Sequence, residues 1–240
     1  MSTPIENGRI IPLTRIEARV EPYDWAFARE RTAEIDAHWA RISAAKPAMF
    51  NGRVMLQNRA TIRDGVFEAG YFEADYAAFM TWRDAGLPGP LIRNGFAMGA
   101  LRTIEGAFLC GRMGQHTANA GKVYFAAGTP DRDDVRPDGT LDLAGSVTRE
   151  LWEETGLSLD EITVGEGWDA VVAPGRIAFM RPVLLPLPAA EAREMILSRI
   201  ARMEEQELDD IVILRSAADC DRHDMAPFMK PYLAHIFARD

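Results

Sequence analysis

The stretch RELWEETGL, Arg149 to Leu157, constrains this chain more than any other. A helix from about Asp142 to Thr155 has to stop at Gly156, since a glycine takes the left-handed position after a helix at no steric cost. Glu150 and Glu154 are four residues apart and Glu150 and Glu153 three apart, so all three carboxylates emerge on neighbouring parts of one side. They repel one another, and in the last turn the helix dipole disfavours each by roughly several tenths of a kcal/mol. Arg149 can pair with Glu153 at the four-residue spacing and offsets part of this. A divalent cation would offset the rest, because carboxylate oxygens are the hard ligands that Mg²⁺ and Mn²⁺ prefer. A bare ExxEE is more often a solvated helix face, so its context decides.

That context is a chain of 240 residues, long enough for a core domain with a smaller addition. From Asp24 as N-cap to Pro47, the spacing of Trp25, Ala28, Ile35, Trp39 and Ile42 predicts one helix. The turn pairs Asn51-Gly52 and Asp64-Gly65 then predict strands of an antiparallel meander, and Asp75 starts a short helix through about Arg83. The Gly- and Pro-rich run from Ala85 to Gly95 reads as a junction, dividing the chain into an extension, 1–90, and a core, 91–240. The core pattern gives two strands in FAMGALRTIEGAFLCGRMG, one in GKVYFAAGTP and more around Pro174-Gly175. An amphipathic helix with Ile196, Ile200 and Met203 on one face follows, then the strand DDIVILR and a last helix in APFMKPYLAHIFA. Strands and helices mix without strict alternation, so the class is α+β, or mixed α/β in the broader sense.

The net charge of −9 argues against a partner bound through a phosphate backbone, which calls for a basic surplus or stripe. A small anionic ligand is still admissible where a metal or a few cations reverse the local field. Cys110 and Cys220 stand far apart in no CxxC arrangement, which suggests neither a disulfide framework nor a zinc-thiolate site. With no apolar run of membrane-spanning length and no signal-type core at the start, a soluble cytoplasmic protein is expected, with neither nucleic acid nor membrane as partner.

The stretch Arg149–Leu157 resembles the second half of the Nudix box: Gly, five residues, Glu, seven residues, then Arg-Glu-apolar-x-Glu-Glu-x-Gly-apolar. Arg149, Glu150, Leu151, Glu153, Glu154, Gly156 and Leu157 match every specified position of that half. The resemblance implies an α/β/α sandwich carrying the N-terminal helix-plus-strands extension. It implies hydrolysis of a nucleoside diphosphate linked to another moiety, with Mg²⁺ or Mn²⁺ held by Glu150, Glu153 and Glu154 and with Arg149 orienting a glutamate. The first half departs from the pattern. Counting back from Arg149 puts the upstream Glu at Leu141 and the Gly at Val135, and neither matches. Gly128 in YFAAGTP resembles the loop glycine of that half, which makes DRDDVRPDG an insertion and Asp142 the nearest acidic stand-in, unless Asp142 is only the helix cap. The same loop fails as a calcium loop, having Val135 and Arg136 where that spacing needs an oxygen ligand and a glycine.

A shorter resemblance lies upstream. KPAMFNGRVML, Lys46 to Leu56, is similar to the Asn-Pro-x-Leu-Phe-Asn-Gly segment of Nudix enzymes acting on UDP-sugars, and implies a UDP-sugar substrate giving UMP and a sugar 1-phosphate. Its local alternative is an Asn-Gly turn into a strand. CoA or an acyl-CoA is the second substrate class, and a non-catalytic nucleotide-binding domain the alternative of another kind.

Around the glutamates, Arg112 and Lys122 flank the loop GQHTANAG and are candidates to meet the phosphates or the leaving group. Candidates for the proton-accepting carboxylate are Glu166, Glu204, Glu205 and Glu207. Tyr124, Trp168 and Phe179 are either core or base-stacking, and His38, His116, His223 and His235 lack metal-ligand spacing. The extension is open to three roles: shaping the pocket, pairing two copies in a homodimer, or covering a sheet edge.

Overall fold

The computed structural model describes residues 3–47, 49–89 and 91–239. Ala48, inside the segment similar to UDP-sugar enzymes, and Pro90, inside the junction, lie outside them. The fold is mixed α/β, as the pattern predicts, and has two sheets. The larger has the order β1-β9-β10-β5-β6-β11: β1 (Ile10–Leu13), β9 (Trp168–Ala173), β10 (Arg176–Leu185), β5 (Asn94–Thr103), β6 (Phe108–Met113) and β11 (Leu208–Leu214). Two short strands, β7 (Val123–Tyr124) on β6 and β8 (Thr163–Val164) on β10, sit off this path. Only β10 and β5 pair in parallel within it, from Arg176 opposite Asn94 to Leu185 opposite Thr103. The smaller sheet, β2-β4-β3, joins β2 (Arg15–Val20), β4 (Val66–Asp75) and β3 (Arg53–Arg63).

Helices cover both faces of the larger sheet. Gly99 of β5 has no room for a Cβ because Leu151 of α4 (Leu143–Thr155) lies against it, and α5 (Ala189–Ile200) packs beside α4 over β11. On the opposite face Phe108 and Phe125 meet Tyr232 of α6 (Met229–Phe237) edge-on. This is the helix–sheet–helix layering the resemblance implies. Among the described residues no helix is long and apolar enough to cross a membrane.

The smaller sheet is a layer between the larger sheet and the N-terminal helices. Alternation along β4 sends Phe67, Ala69 and Tyr71 into the main core and Phe72 and Ala74 into a second cluster with Trp25, Phe27, Ile35, Phe79 and Trp82. Phe67 meets Phe179 of β10 with ring centroids 4.8 Å apart, and the Tyr71 hydroxyl donates to the Gly95 carbonyl at 3.1 Å. One core therefore runs through both parts of the chain, and β1 near the N-terminus is itself a strand of the larger sheet through β9.

Several expectations change. The single helix after Asp24 is two, α1 (Ala26–Glu30) and α2 (Thr32–Ala45), broken at Arg31, whose backbone leaves the helical region at φ −119° and ψ 29°. Trp25 holds the N-cap position, and Asp24 spends its carboxylate on Arg29. Asp64-Gly65, both at positive φ, does turn β3 into β4, but the third strand of that sheet is β2, added parallel to β4 from a stretch with no predicted element. Asn51-Gly52 is not a hairpin. The Asn51 Oδ1 accepts from the Ala77 amide at 2.8 Å and so caps α3 (Tyr76–Asp84), which Asp75 precedes without a side-chain capping bond, its carboxylate being held by Arg53.

Candidate active site

Helix α4 is bounded as its sequence dictates. The Asp142 Oδ1 accepts from the Gly145 amide at 3.0 Å, and Gly156 closes the helix at φ 69°. Asp142 is therefore the cap, its other oxygen held by Arg136 at 2.7 Å.

The acid that holds Arg149 is Asp134, which the sequence reading missed. It is 4 % exposed and accepts from Arg149 Nη2 with both oxygens, at 3.0 and 3.1 Å. The available signal was the count forward from Gly128: five residues, 129–133, and then an acid, as the pattern requires. Counting back from Arg149 fails because 14 residues, 135–148, stand where the pattern has seven. The extra length makes a hairpin, in which Val135 bridges Leu141 and Gly139 turns at φ 81°. That hairpin docks on β2: Leu141 donates to the Ala18 carbonyl at 2.9 Å, and Val20 to the Gly139 carbonyl at 2.9 Å.

Arg149 sits among three acids, reaching Asp134, Glu153 at 2.9 Å and Glu150 at 3.1 Å. It divides the glutamates. Glu153 stays half-exposed on the outer side, whereas Glu150 and Glu154 are 9 % and 5 % exposed and face inward. Glu154 Oε1 accepts from the Ala127 amide at 3.0 Å, and Glu150 lies so close to Gly128 that a Cβ there would collide with its Oε1. Burial, reinforced by Glu153, Asp134 and Glu207 against the pull of Arg149, raises the Glu150 carboxyl to about 7. Burial and then Glu150 hold Glu154 well above the usual carboxylate range. Among the described residues no three acids, histidines or cysteines are gathered closely enough to enclose an ion. The donor chemistry of Glu150 and Glu154 nevertheless suits a hard divalent cation: oxygen ligands only, adjacent, buried, and short of positive charge.

Ala127 and Gly128 also line a cleft of about 1090 Å³ between the extension and the core. Phe50, Asn51, Gly52, Arg53, Tyr76 and Phe79 come from the extension, and Asn94, Phe96, Asn119, Lys122, Tyr124 and Arg176 from the core. Lys46 at the end of α2 fastens the two, donating from Nζ to the Thr117 carbonyl at 2.5 Å in the loop that forms one wall. Lys122 faces the cleft while paired to Asp224 at 3.0 Å; Arg112 is not among its lining residues, and its guanidinium meets His223 Nδ1 at 3.4 Å. Of the four further glutamates, Glu207 is at the cleft and Glu166, Glu204 and Glu205 are exposed elsewhere. Glu207 stands at the rim with an open side, yet the protein around its carboxyl raises its pKa, helped by Glu153 and Glu205 and opposed by His116. Tyr124 is a wall residue with its hydroxyl bonded to Asn119, while Phe179 is core and Trp168 packs under Arg181.

No family model matches the sequence, and no curated protein matches it. Solved structures do. The chain is similar to the MutT protein from Methanosarcina mazei Go1, at 19% identity and a TM-score of 0.41 over 61% of this chain and 95% of that one. It is similar to the Nudix domain of Shewanella oneidensis NrtR, complexed with ADP ribose, at 16% identity and 0.40 over 61% and 86%. It is also similar to a C. elegans Ap4A hydrolase in a binary complex, at 14% identity and a TM-score of 0.39 over 60% of this chain and 93% of that one.

Proposed function

We propose that the chain is a Nudix-type pyrophosphohydrolase acting on a nucleoside diphosphate linked to a second moiety. The observation that carries the reading is the pair Glu150 and Glu154, buried one helical turn apart behind Ala127 and Gly128 at the wall of a nucleotide-sized cleft, within a matching half-motif. Glu150 and Glu154 are the residues that would hold Mg²⁺ or Mn²⁺, and Glu153, on the outer side of Arg149, would have to turn inward to complete the set. Such an ion would neutralise the phosphoryl oxygens and make an attacking water more acidic.

The chain's own groups do the rest. Arg149, braced by Asp134, pairs with Glu150 and Glu153 and offsets the repulsion between them. Glu207, at the rim with a raised pKa, accepts the proton of the attacking water. Lys122 meets the leaving group from the wall, and Arg112 supports that wall through His223. The substrate is a small molecule and neither nucleic acid nor membrane, and Cys110 and Cys220, both free, suit a reducing cytoplasm. Residues 1–90 are the extension, which completes the cleft and lends β1 to the larger sheet, and 91–240 carry the rest of the hydrolase core; pairing of two copies through the extension is the further role it could take.

A UDP-sugar is the first choice of substrate, because Phe50, Asn51 and Gly52 of the matching segment line the cleft. The deciding experiment is hydrolysis of a panel of nucleoside diphosphate derivatives with Mg²⁺ or Mn²⁺, wild type against Glu154→Gln. Release of UMP and glucose 1-phosphate from UDP-glucose, lost in the variant, is the expected result. Unchanged turnover in the variant removes the role given to Glu154. Preferential release of adenosine 3′,5′-bisphosphate from CoA replaces the substrate, and tight nucleotide binding without turnover replaces the enzyme by a binding domain.

A further inference from the structure

The cations lining the cleft are of two kinds. Arg53 is bound to Glu73 and Asp75, Arg83 to Asp84, Lys122 to Asp224, and Arg132 to Glu73, so each already has a carboxylate. Arg176, the first residue of β10, is half-buried, and its guanidinium has no hydrogen bond or ion pair to any described residue. Its neighbour in register is Asn94 of β5, and in-register residues of parallel strands present their side chains on the same face. Asn94 donates from Nδ2 to Thr129 Oγ1 at 3.0 Å, one residue beyond Gly128, and leaves its own Oδ1 buried without a partner. A donor-only guanidinium and an orphan acceptor thus stand side by side on the wall that leads to the glutamate pair. Burial, then the charge of Arg83, disfavours the charged form of Arg176, the mark of a cation that no protein group compensates.

We propose that Arg176 forms an oxyanion subsite of the cleft, in which its guanidinium takes an anionic oxygen of the substrate. The assignment rests on this cleft being the substrate cleft. The oxyanion has two possible sources with the same chemistry, the diphosphate itself or an acidic group on the attached moiety, and both suit a planar guanidinium fork.

The test is calorimetric titration in EDTA, where neither metal nor turnover intervenes, of UDP, UDP-glucose and UDP-glucuronate into wild type, Arg176→Gln, Arg176→Met and Arg176→Lys. Loss of one charge-assisted contact predicts binding weaker by roughly tenfold or more in the Gln and Met variants, with part of it recovered by Lys. Weakening of all three ligands puts the oxyanion on the diphosphate; weakening of UDP-glucuronate alone puts it on the attached carboxylate. The melting temperature of the ligand-free Met variant is expected to hold or rise, since an uncompensated charge is removed. Affinities within twofold of wild type for all three ligands, or no binding by wild type, overturn the proposal. So does weaker binding that Lys fails to recover and that comes with a fall in melting temperature, which marks a purely structural residue. Failure of the hydrolysis panel would overturn the enzymatic reading and leave this result standing.

Discussion

Two acids behind the lining of the cleft are shifted in opposite directions. Glu73 of β4 receives Arg132 at 2.7 and 3.0 Å and is also bound by Arg53, and these hydrogen bonds, Arg132 first, bring its carboxyl down to about 2. Glu150 of α4 has one arginine shared with two other acids and lies in protein instead of at the surface, and its carboxyl goes up to about 7. The first arrangement holds the extension to the 131–133 loop. The second destabilises its own charged form, and a fold keeps such a site when something other than stability is gained from it.

The largest expected effect bears on that contrast directly. Glu154→Gln should lower kcat by roughly a hundredfold or more, as loss of a central charged group in a site does. Its melting temperature should hold or rise, because a buried carboxylate beside another is replaced by a neutral amide. A variant that is both inactive and destabilised would place Glu154 with the structural acids.

Asp134→Asn comes next. It leaves Arg149 short of its most buried partner and should cost about 1–3 kcal/mol in urea unfolding, with a drop in kcat as well, because Glu150 loses its brace. Asp142→Ala, which removes the cap and the partly exposed pair with Arg136, should cost about 1 kcal/mol with kcat unchanged. Equal activity losses in the two variants would erase the distinction drawn between them.

The smallest effect is that of Glu73. Its pKa is lower in the folded than in the unfolded protein, so its contribution is present above the unfolded value near 4.5 and fades as pH falls toward about 2. Glu73→Gln should therefore reduce stability at pH 7 by about 0.5 kcal/mol, as partly exposed pairs do, and by less at pH 3. A difference that grows on acidification would reverse the assignment.

Legibility followed the range of the forces involved. Helix α4 was readable to the residue at its start and its end, because Asp142 and Gly156 act on their own neighbours. That Glu150 and Glu154 share one side of the helix was readable, because a four-residue spacing on a helix is geometry; their burial, and the separation of Glu153 from them, was not. Asp134 was not reached by counting from Arg149, since the hairpin between them takes its place from β2, more than a hundred residues earlier. The break at Arg31 and the parallel placement of β2 are likewise settled by what packs against them: Trp25 and Phe27 stack at 5.3 Å, and β2 lies along β4 from Arg15–Val66 to Val20–Tyr71. Arg176 carries no sequence signal, because what distinguishes it is a missing neighbour.

The hairpin at 135–141 has one more consequence. Its outer strand is stitched to Ala18 and Val20, so the two oddities of this chain, a longer motif loop and added N-terminal residues, are halves of a single joint. A shortened gene that kept only the later residues would leave that loop with a raw edge, and the acid that steadies Arg149 would hang from an unanchored thread.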